Sequence, residues 1–448
     1  MFSVKDWIDQ KEWTNWSGNV VSKPTRSLLP LSTEHLSQII KKVSENGQTL
    51  RVTGAGHSFS PVAMPDDIAV SLHNMRGLIN VDQASGEVTL WAGTYLYEIG
   101  PLLKEYGLAL QNMGDIQDQT IAGAVSTGTH GTGITLGSIS NQVIAWGFVD
   151  GLGEYHEHKR ADDELSNSLH LSLGLLGVLV QVTLQTVPLY SLKCVSTQAI
   201  LTVALQDWSQ MIRENRHLEW FYFPGSEKVQ VKMMNMIPII EQSKSSKVIE
   251  SVKNQFVENG LFYLMSELCR KQPKRTALVS KISASSVPNG VKTGLSYEIF
   301  PTPRHVKFLE SEYAIPLEHF EACMEEIHYT LLSHPFRVHF PIECRTAAGE
   351  MGYLSPTGGV ESAFLAFHMY KGMDEKPYFR WVQHLMTKYN GRPHFGKVNA
   401  LSAERMLELY PNLPKFLDQR DKYDPNNVFM TAYFKTLFTK VECESLIM

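Results

Sequence analysis

Two glycine-rich segments of this chain could hold an anionic ligand against the backbone. The first reads Gly-Ala-Gly-His-Ser at residues 54–58 and directly follows a strand predicted over 49–52. Glycines let a chain turn sharply and bring its N–H groups close to a phosphate. The segment lacks the third glycine of the nicotinamide-dinucleotide fingerprint, so it does not favour that cofactor. Taken alone, so short a motif is more typical of a tight turn with a surface histidine.

The second segment runs from Asn112 to Gly133 and consists of small and hydroxyl-bearing residues with few bulky side chains. A long ligand laid along a backbone needs such a surface. The alternative is a glycine-rich surface loop, but a loop of this length without a function is uncommon in a compact domain. The second segment therefore shifts the interpretation of both towards a binding site.

A carboxylate and a guanidinium share one side of a predicted strand. The segment from Phe336 to Arg345 alternates apolar and polar residues, which places Glu343 and Arg345 on one face and Cys344 in the core. Such a charge-assisted pair can hold hydroxyl groups in a fixed geometry. An exposed ion pair is common in sheets, and the residues alone favour that alternative. Pro341 cannot donate to a strand ladder, so it predicts an edge or a bulge nearby.

The elements around these residues mix helices and strands. Ser32 predicts the N-cap of a helix that ends at Gly47, and alternation predicts a strand over 178–185. Asp150 and Gly151 predict a hairpin turn. After about residue 190 the segments become longer and more strand-like. We therefore predict two domains with a boundary near residue 190.

Composition limits the class of protein. The chain has 448 residues, 43% apolar and 19% charged, which is typical of a globular protein with more than one core. The net charge of -5 and the absence of a like-charge block argue against nucleic acid as a partner. The N-terminus lacks the apolar region of a signal peptide, and the apolar stretch at 171–182 is too broken to be a transmembrane segment. Widely spaced cysteines without CxxC spacing argue against a metal site and favour a cytoplasmic location.

Several motifs together resemble one family. They are Asn-Trp-Ser-Gly at 15–18, the 54–58 segment, Ala-Gly-Thr at 92–94, and the run at 120–133. Their order and spacing resemble the FAD-binding domain of the vanillyl-alcohol-oxidase superfamily, in the branch of sugar-1,4-lactone oxidases and alditol oxidases. Near the C-terminus, Pro-His-Phe-Gly-Lys at 393–397 and Asp-Pro-Asn-Asn-Val-Phe at 424–429 resemble two further motifs of that branch.

The resemblance implies a fold and a cofactor. It implies an α+β chain with an FAD-binding (PCMH-type) domain at 1–190 and a cap domain at 191–398 that is built on a large antiparallel sheet. A C-terminal segment at 399–448 is expected to return to the FAD-binding domain. It implies FAD bound covalently through His57, with a noncovalent flavin as the alternative. The residues that it assigns to FAD are Val52, Thr53, Gly54, Ala55, Gly56, His57, Ser58, Gly114, Asp115, Thr120, Gly123, Thr127, Gly128, Thr129 and His130.

The resemblance also assigns catalytic residues. Glu343 and Arg345 match a Glu-x-Arg pair that lies over the flavin ring, and Lys397 matches a lysine that can stabilise negative charge there. His368 shares a strand face with apolar residues. A histidine in that setting more often has a structural role, with its ring nitrogens hydrogen-bonded within the sheet. The family places a histidine in this part of the pocket, so His368 is a candidate for proton transfer.

The implied reaction is hydride transfer from a sugar-derived CH–OH carbon to the flavin, with oxygen reduced to hydrogen peroxide. The substrate is either an aldonolactone or an open-chain alditol. The carboxylate of Asp115 favours a substrate that is rich in hydroxyl groups. A dehydrogenase that passes electrons to a quinone or cytochrome and a catalytically silent flavin-binding protein are the alternatives. In this branch, glycine at the position of Gly114 accompanies oxidase behaviour. The alternative is that Gly114 serves only a backbone with positive φ.

Overall fold

The computed structural model describes residues 7–8, 12–240, 260, 262–286, 289–302, 306–334 and 336–445. The prediction that the N-terminus carries no signal peptide falls partly outside these residues. Among the helices of the described ranges, none is long and apolar enough to cross a membrane.

The first part of the chain contains two main sheets, of which the four-stranded one is mixed and the five-stranded one is antiparallel. The four-stranded sheet has the order Trp7–Ile8, Arg26–Leu28, Ile68–Val70, Leu50–Val52. The five-stranded antiparallel sheet has the order Tyr155–Lys159, Val143–Val149, Val178–Gln185, Glu87–Trp91, Leu78–Asp82. Two further sheets consist of two short antiparallel strands each. In one, Trp13–Thr14 pairs with Val21–Ser22, and in the other Leu108–Ala109 pairs with Val187–Pro188. The predicted strand at 178–185 and the hairpin at Asp150 are confirmed.

The helices begin and end where local chemistry predicts. Thr33–Glu45 starts at Ser32, whose hydroxyl accepts a hydrogen bond from the N–H of His35 at 3.2 Å. Gly47 follows it with a φ of 62°. Further helices are Leu96–Lys104, Ile121–Thr127, Glu164–Leu169, Leu201–Glu214, Thr276–Ser286, Ser296–Ile299, Phe320–Ser333, Lys376–Lys388, Ala403–Leu409, Leu413–Tyr423 and Ala432–Ser445. Short 3-10 turns lie at Pro61–Ala63, Ile139–Gln142, Pro273–Arg275 and Leu317–His319.

A large antiparallel sheet of eight strands confirms the predicted fold class. Its spatial order is Gly290–Leu295, Ser191–Ile200, Lys228–Ile237, His217–Tyr222, Ile342–Ala347, Ser362–Tyr370, Phe308–Pro316, Arg392–Pro393. Ile342 and Cys344 are fully buried in the core that the helices of this region share with the sheet. Because side chains alternate along a strand, Glu343 and Arg345 lie on the opposite face.

The strand that carries Glu343 is shorter and more central than its sequence predicts. It begins at Ile342, so the alternating residues from Phe336 to Pro341 lie outside it. It is paired on both sides, with His217–Tyr222 and Ser362–Tyr370. The prediction of an edge or bulge at Pro341 is therefore wrong. Proline lies just before the strand, where its missing N–H removes no ladder hydrogen bond.

Two large hydrophobic cores divide the chain. The first combines residues from 28 to 192 with residues from 403 to 438, and the second lies mainly between 201 and 386. The domain boundaries at 190 and 398 stay a prediction, which this distribution supports. Phe395 also belongs to the first core, and the N–H of Phe59 donates to the carbonyl of Gly396 at 2.7 Å, so residues 393–397 lie beside the first glycine-rich segment.

Candidate active site

A cleft of about 620 Å³ lies between the glycine-rich segments and the polar face of the large sheet. Residues that are far apart in the sequence, from His57 to Lys397, meet there. The predicted site residues that line it are His57, Ser58, Gly114, Asp115, Thr127, Thr129, His130, Glu343, Arg345, His368 and Lys397. The four predicted catalytic residues and seven of the fifteen predicted flavin contacts therefore share one space.

A second cleft, of about 290 Å³, is lined by the other end of the first glycine segment. Of the predicted residues it contains Val52, Thr53, Gly54 and Thr120. A Cβ on Gly54 would lie 2.6 Å from Oγ1 of Thr120, so the close approach of these two segments requires glycine. The predicted residues that line neither cleft are Ala55, Gly56, Gly123 and Gly128. Gly56 and Gly128 instead supply positive φ angles, of 68° and 76°.

Arg345 lies between two carboxylates. Its Nη2 donates to Oε1 of Glu343, and its Nε lies 3.5 Å from Oε1 of Glu219. Burial alone would lower the pKa of Arg345, but Glu343 and Glu219 raise it above its ordinary value. Glu219 also lies 3.8 Å from Nζ of Lys232, and its burial raises the pKa of its carboxyl. The guanidinium is thus a permanent cation in a confined, acidic setting.

Lys397 and His368 meet at a second carboxylate. Nζ of Lys397 lies 2.7 Å from Oε2 of Glu310, while Nε2 of His368 lies 3.7 Å from Oε1 of the same residue. Nδ1 of His368 is 3.1 Å from the carbonyl oxygen of Pro341. A carbonyl can only accept, so Nδ1 carries the proton of the neutral ring and Nε2 is the nitrogen that can accept another.

Glu312 connects the second glycine segment to the sheet. Its Oε1 lies 3.3 Å from Nε2 of His130, and its Oε2 lies 3.9 Å from Nζ of Lys397. Burial alone would raise the pKa of Glu312, but His130 and Lys397 hold it well below its ordinary value. The carboxylate is therefore ionised and links the loop to the sheet electrostatically.

His57 is partly buried at the side of the larger cleft. Its Nδ1 is buried and has no hydrogen-bond partner. A buried nitrogen of this kind costs free energy unless a bound group satisfies it. Burial lowers the pKa of His57, so its imidazole is neutral at neutral pH. A neutral ring with an unused nitrogen fits attachment to an electrophilic carbon.

Sequence reasoning missed four titratable residues of the site, namely Glu219, Glu310, Glu312 and His394. Glu310 and Glu312 are two residues apart in a largely apolar strand, the same signal that identified Glu343 and Arg345. Burial lowers the pKa of His394 to about 3, so this histidine is neutral. Its Nδ1 accepts a hydrogen bond from the N–H of Gly396 at 3.0 Å.

The charge balance of the site favours a neutral ligand. The cations Arg345, Lys397 and Lys232 are each within 4.0 Å of a carboxylate. The acidic groups in and beside the cleft are Asp115, Glu219, Glu310, Glu312 and Glu343. An anionic ligand would have to disrupt these pairs in a confined space, which is costly. A neutral molecule rich in hydroxyl groups can instead donate to the carboxylates and accept from the cations.

Comparison with known proteins assigns the chain to a family. Residues 182–437 match the family described as D-arabinono-1,4-lactone oxidase, and residues 24–159 match an FAD binding domain. An L-gulono-1,4-lactone dehydrogenase of Mycobacterium tuberculosis is 33% identical, over 94% of this chain and 97% of that protein. An L-gulonolactone oxidase of Mus musculus is 29% identical, over 95% and 98%. A solved cholesterol oxidase from B. sterolicum has a TM-score of 0.81 at 17% identity and covers 98% of both chains, a likeness of fold.

Proposed function

Because the chain belongs to the D-arabinono-1,4-lactone oxidase family, we propose that it is an FAD-dependent oxidase of an aldono-1,4-lactone. The observation that carries the proposal is the buried array of Glu343, Arg345 and Glu219 beside the glycine-rich segments. The array presents fixed acceptors and a fixed donor to a neutral ligand with several hydroxyl groups. A silent flavin-binding protein has no use for so many buried charges, each of which costs free energy.

The residues present fit FAD. Residues 52–54 and Thr120 would hold the part of the cofactor that carries the phosphates, in the smaller cleft. Gly114, Thr129 and His57 would contact the ring end, in the larger cleft. When bound, FAD supplies a two-electron acceptor for the hydrogen of a CH–OH carbon. We further propose that His57 attaches FAD covalently, since its Nδ1 is buried without a partner.

The protein's own residues bind the substrate and move its hydroxyl proton. Arg345 and Glu343 would hold neighbouring oxygens, Arg345 as donor and Glu343 as acceptor. Nε2 of His368 would take the proton of the reacting hydroxyl, because Nδ1 is committed to the carbonyl of Pro341. Glu310, 3.7 Å from that nitrogen, would then stabilise the imidazolium. Lys397 would place a positive charge where negative charge develops.

A substrate panel tests the proposal. Hydrogen peroxide should form with gulono-, galactono- or arabinono-1,4-lactone and fall sharply with the corresponding open-chain aldonate, which carries a charge into an acidic cleft. The matched control is the alditol of the same carbon skeleton, which is neutral. If alditols turn over well and every lactone fails, the lactone assignment is wrong although the oxidase assignment survives.

The electron acceptor is the second question, because one relative carries the name dehydrogenase. We propose oxygen, since Gly114 lines the cleft without a side chain. Rapid turnover with an artificial quinone but little peroxide would favour the dehydrogenase. The described cysteines Cys194, Cys269, Cys323 and Cys344 are free and buried, which fits the proposed cytoplasmic location.

A further inference from the structure

A loop near the beginning of the chain covers His57. In the Asn15–Gly18 loop, the Trp16 ring stacks on the His57 imidazole, with ring centres 5.3 Å apart and planes inclined by 21°. The N–H of Trp16 donates to the carbonyl of Gly56 at 2.7 Å. Nδ2 of Asn15 donates to the carbonyl of Ser58 at 2.9 Å. The loop therefore contacts the His57 ring and also holds the backbone on both sides of that residue.

Internal hydrogen bonds make the loop rigid. The side chain of Asn15 is 3% exposed, and its Oδ1 accepts from the N–H groups of Asn19 and Val20, both at 3.1 Å. Nδ2 of Asn19 donates to the carbonyl of Phe59 at 2.9 Å. Gly18 has a φ of 72°, which a side chain would strain. A loop ordered by its own contacts loses little entropy when a ligand binds beside it.

Aromatic rings from two other parts of the chain fix Trp16 in place. Phe308 of the large sheet meets it edge-on with ring centres 5.4 Å apart, and Phe59 does the same at 6.2 Å. Trp16 is thus held between the sheet and the first glycine segment. The orientation of the His57 ring is set by a contact that spans both regions of the chain.

Burial and two charged residues determine the pKa of the His57 ring. Burial lowers the pKa of the ring, Asp118 raises it and Lys397 lowers it. Trp16 contributes no charge but covers one face of the ring, which keeps water from it. Nδ1 of His57 is left buried and unpartnered.

We propose that Trp16 is a positioning residue for the covalent attachment of FAD, and that its stacked ring orients Nδ1 of His57 towards the flavin. The inference rests on the proposed function. In the step, a bond forms between Nδ1 and the 8α carbon of FAD. That carbon loses one C–H proton and the imidazole loses its one N–H proton, while two electrons and two protons pass to the flavin. Oxygen, the acceptor of the proposed activity, then takes them up as hydrogen peroxide.

The test measures attachment rather than turnover. Purified wild-type protein and Trp16 variants are incubated with excess FAD, and flavin that stays with the acid-precipitated protein is followed over time. Trp16→Leu removes the stacked ring and should slow attachment on the order of tenfold or more, because misorientation of a reacting group has effects of that size. Trp16→Phe restores a ring and should recover most of the rate. Trp381→Leu, in a ring cluster with Phe336 and Tyr378, is the matched control and should attach FAD at the wild-type rate.

A pH profile separates positioning from a general structural effect. With a smaller ring, Trp16→Phe exposes His57 to water and should raise its pKa towards the ordinary value of about 6.5. Attachment by Trp16→Phe should therefore weaken at about pH 6 relative to wild type, since a protonated ring cannot form the bond. This readout remains if Trp16→Leu fails to fold.

Each outcome decides the inference. Slow attachment by Trp16→Leu at normal FAD binding, with recovery in Trp16→Phe, supports it. Wild-type rates and pH profiles in both variants overturn it while leaving the covalent link intact. Release of all flavin from denatured wild-type protein overturns it together with the covalent link, and lactone turnover by that protein would still support the oxidase.

Discussion

Replacing Arg345 by methionine should remove most of the transition-state binding of the site while leaving FAD in place. The side chain of Arg345 is 12% exposed and lies between Glu343, at 3%, and Glu219, at 11%. Methionine fills a similar volume without the charge. Both carboxylates then lose the positive charge of Arg345 in a confined space, and Glu219 keeps Lys232 at 3.8 Å.

The size of the effect follows from burial. Truncating one partner of a buried charge pair costs about 2–5 kcal/mol, much of it from the charge left unpaired. In kcat/KM this is a decrease of roughly 30-fold to several thousandfold. Because the side chain of Glu343 is only 3% exposed, we expect a value in the upper half of that range.

The assay is steady-state peroxide formation with the best lactone, together with flavin content and thermal midpoint. Arg213→Met is the control, since Arg213 pairs with Glu361 at 3.5 Å on the exposed surface and such pairs contribute at most about 1 kcal/mol. A double variant with Glu343→Gln should lose little beyond the larger single loss, because paired residues act as a unit. A kcat/KM of Arg345→Met within about threefold of wild type would refute the assigned role of the array.

Three further predictions follow from other contacts. Gly114→Ala should slow reoxidation of the reduced flavin by oxygen and leave anaerobic reduction largely intact, as stopped-flow measurement of both half-reactions would reveal. The φ of Gly114 is not positive, so the suggestion that this position needs glycine for a positive φ is wrong. A Cβ there would lie 3.2 Å from the carbonyl oxygen of His130. His368→Gln should lower kcat by on the order of a hundredfold or more at unchanged flavin content, and an unchanged kcat would exclude His368 as the base. Burial opposes ionisation of Glu350, but His170 and Ser138 lower the pKa of its carboxyl to about 2. The ionised carboxylate therefore stabilises the folded protein above its ordinary pKa, and this stability is lost as pH falls through about 4 towards 2. Glu350→Gln should lack this acid-sensitive part, on the order of 3 kcal/mol, and identical acid unfolding curves would contradict it.

Two elements that have a local sequence signal, an N-cap residue in one and an alternating pattern in the other, were predicted correctly. Ser32 predicted a helix start because its hydroxyl satisfies an otherwise unpaired N–H, and the structure has that hydrogen bond. The strand at 178–185 followed from alternation. The alternation from Phe336 misled, because Pro341 cannot take part in the ladder and regular pairing begins only at Ile342. Alternation identifies the buried face and does not identify where pairing starts.

Only part of the site could be predicted from the sequence. Glu343 and Arg345 are neighbours on one strand, so their pairing could be predicted. Glu219 joins them because His217–Tyr222 pairs with Ile342–Ala347, where Phe221 is the partner of Glu343. That pairing joins residues more than a hundred positions apart, and no local pattern encodes it. No local pattern encodes the contact between Lys397 and Glu310 either.

Anaerobic mixing of the purified protein with an aldono-1,4-lactone tests the central claim most directly. The visible absorbance of the bound flavin should bleach within the time of one turnover and return when air is admitted, with one equivalent of peroxide formed. The corresponding aldonate should leave the absorbance unchanged. A flavin that no lactone bleaches, in protein that holds FAD and is folded, would contradict the account.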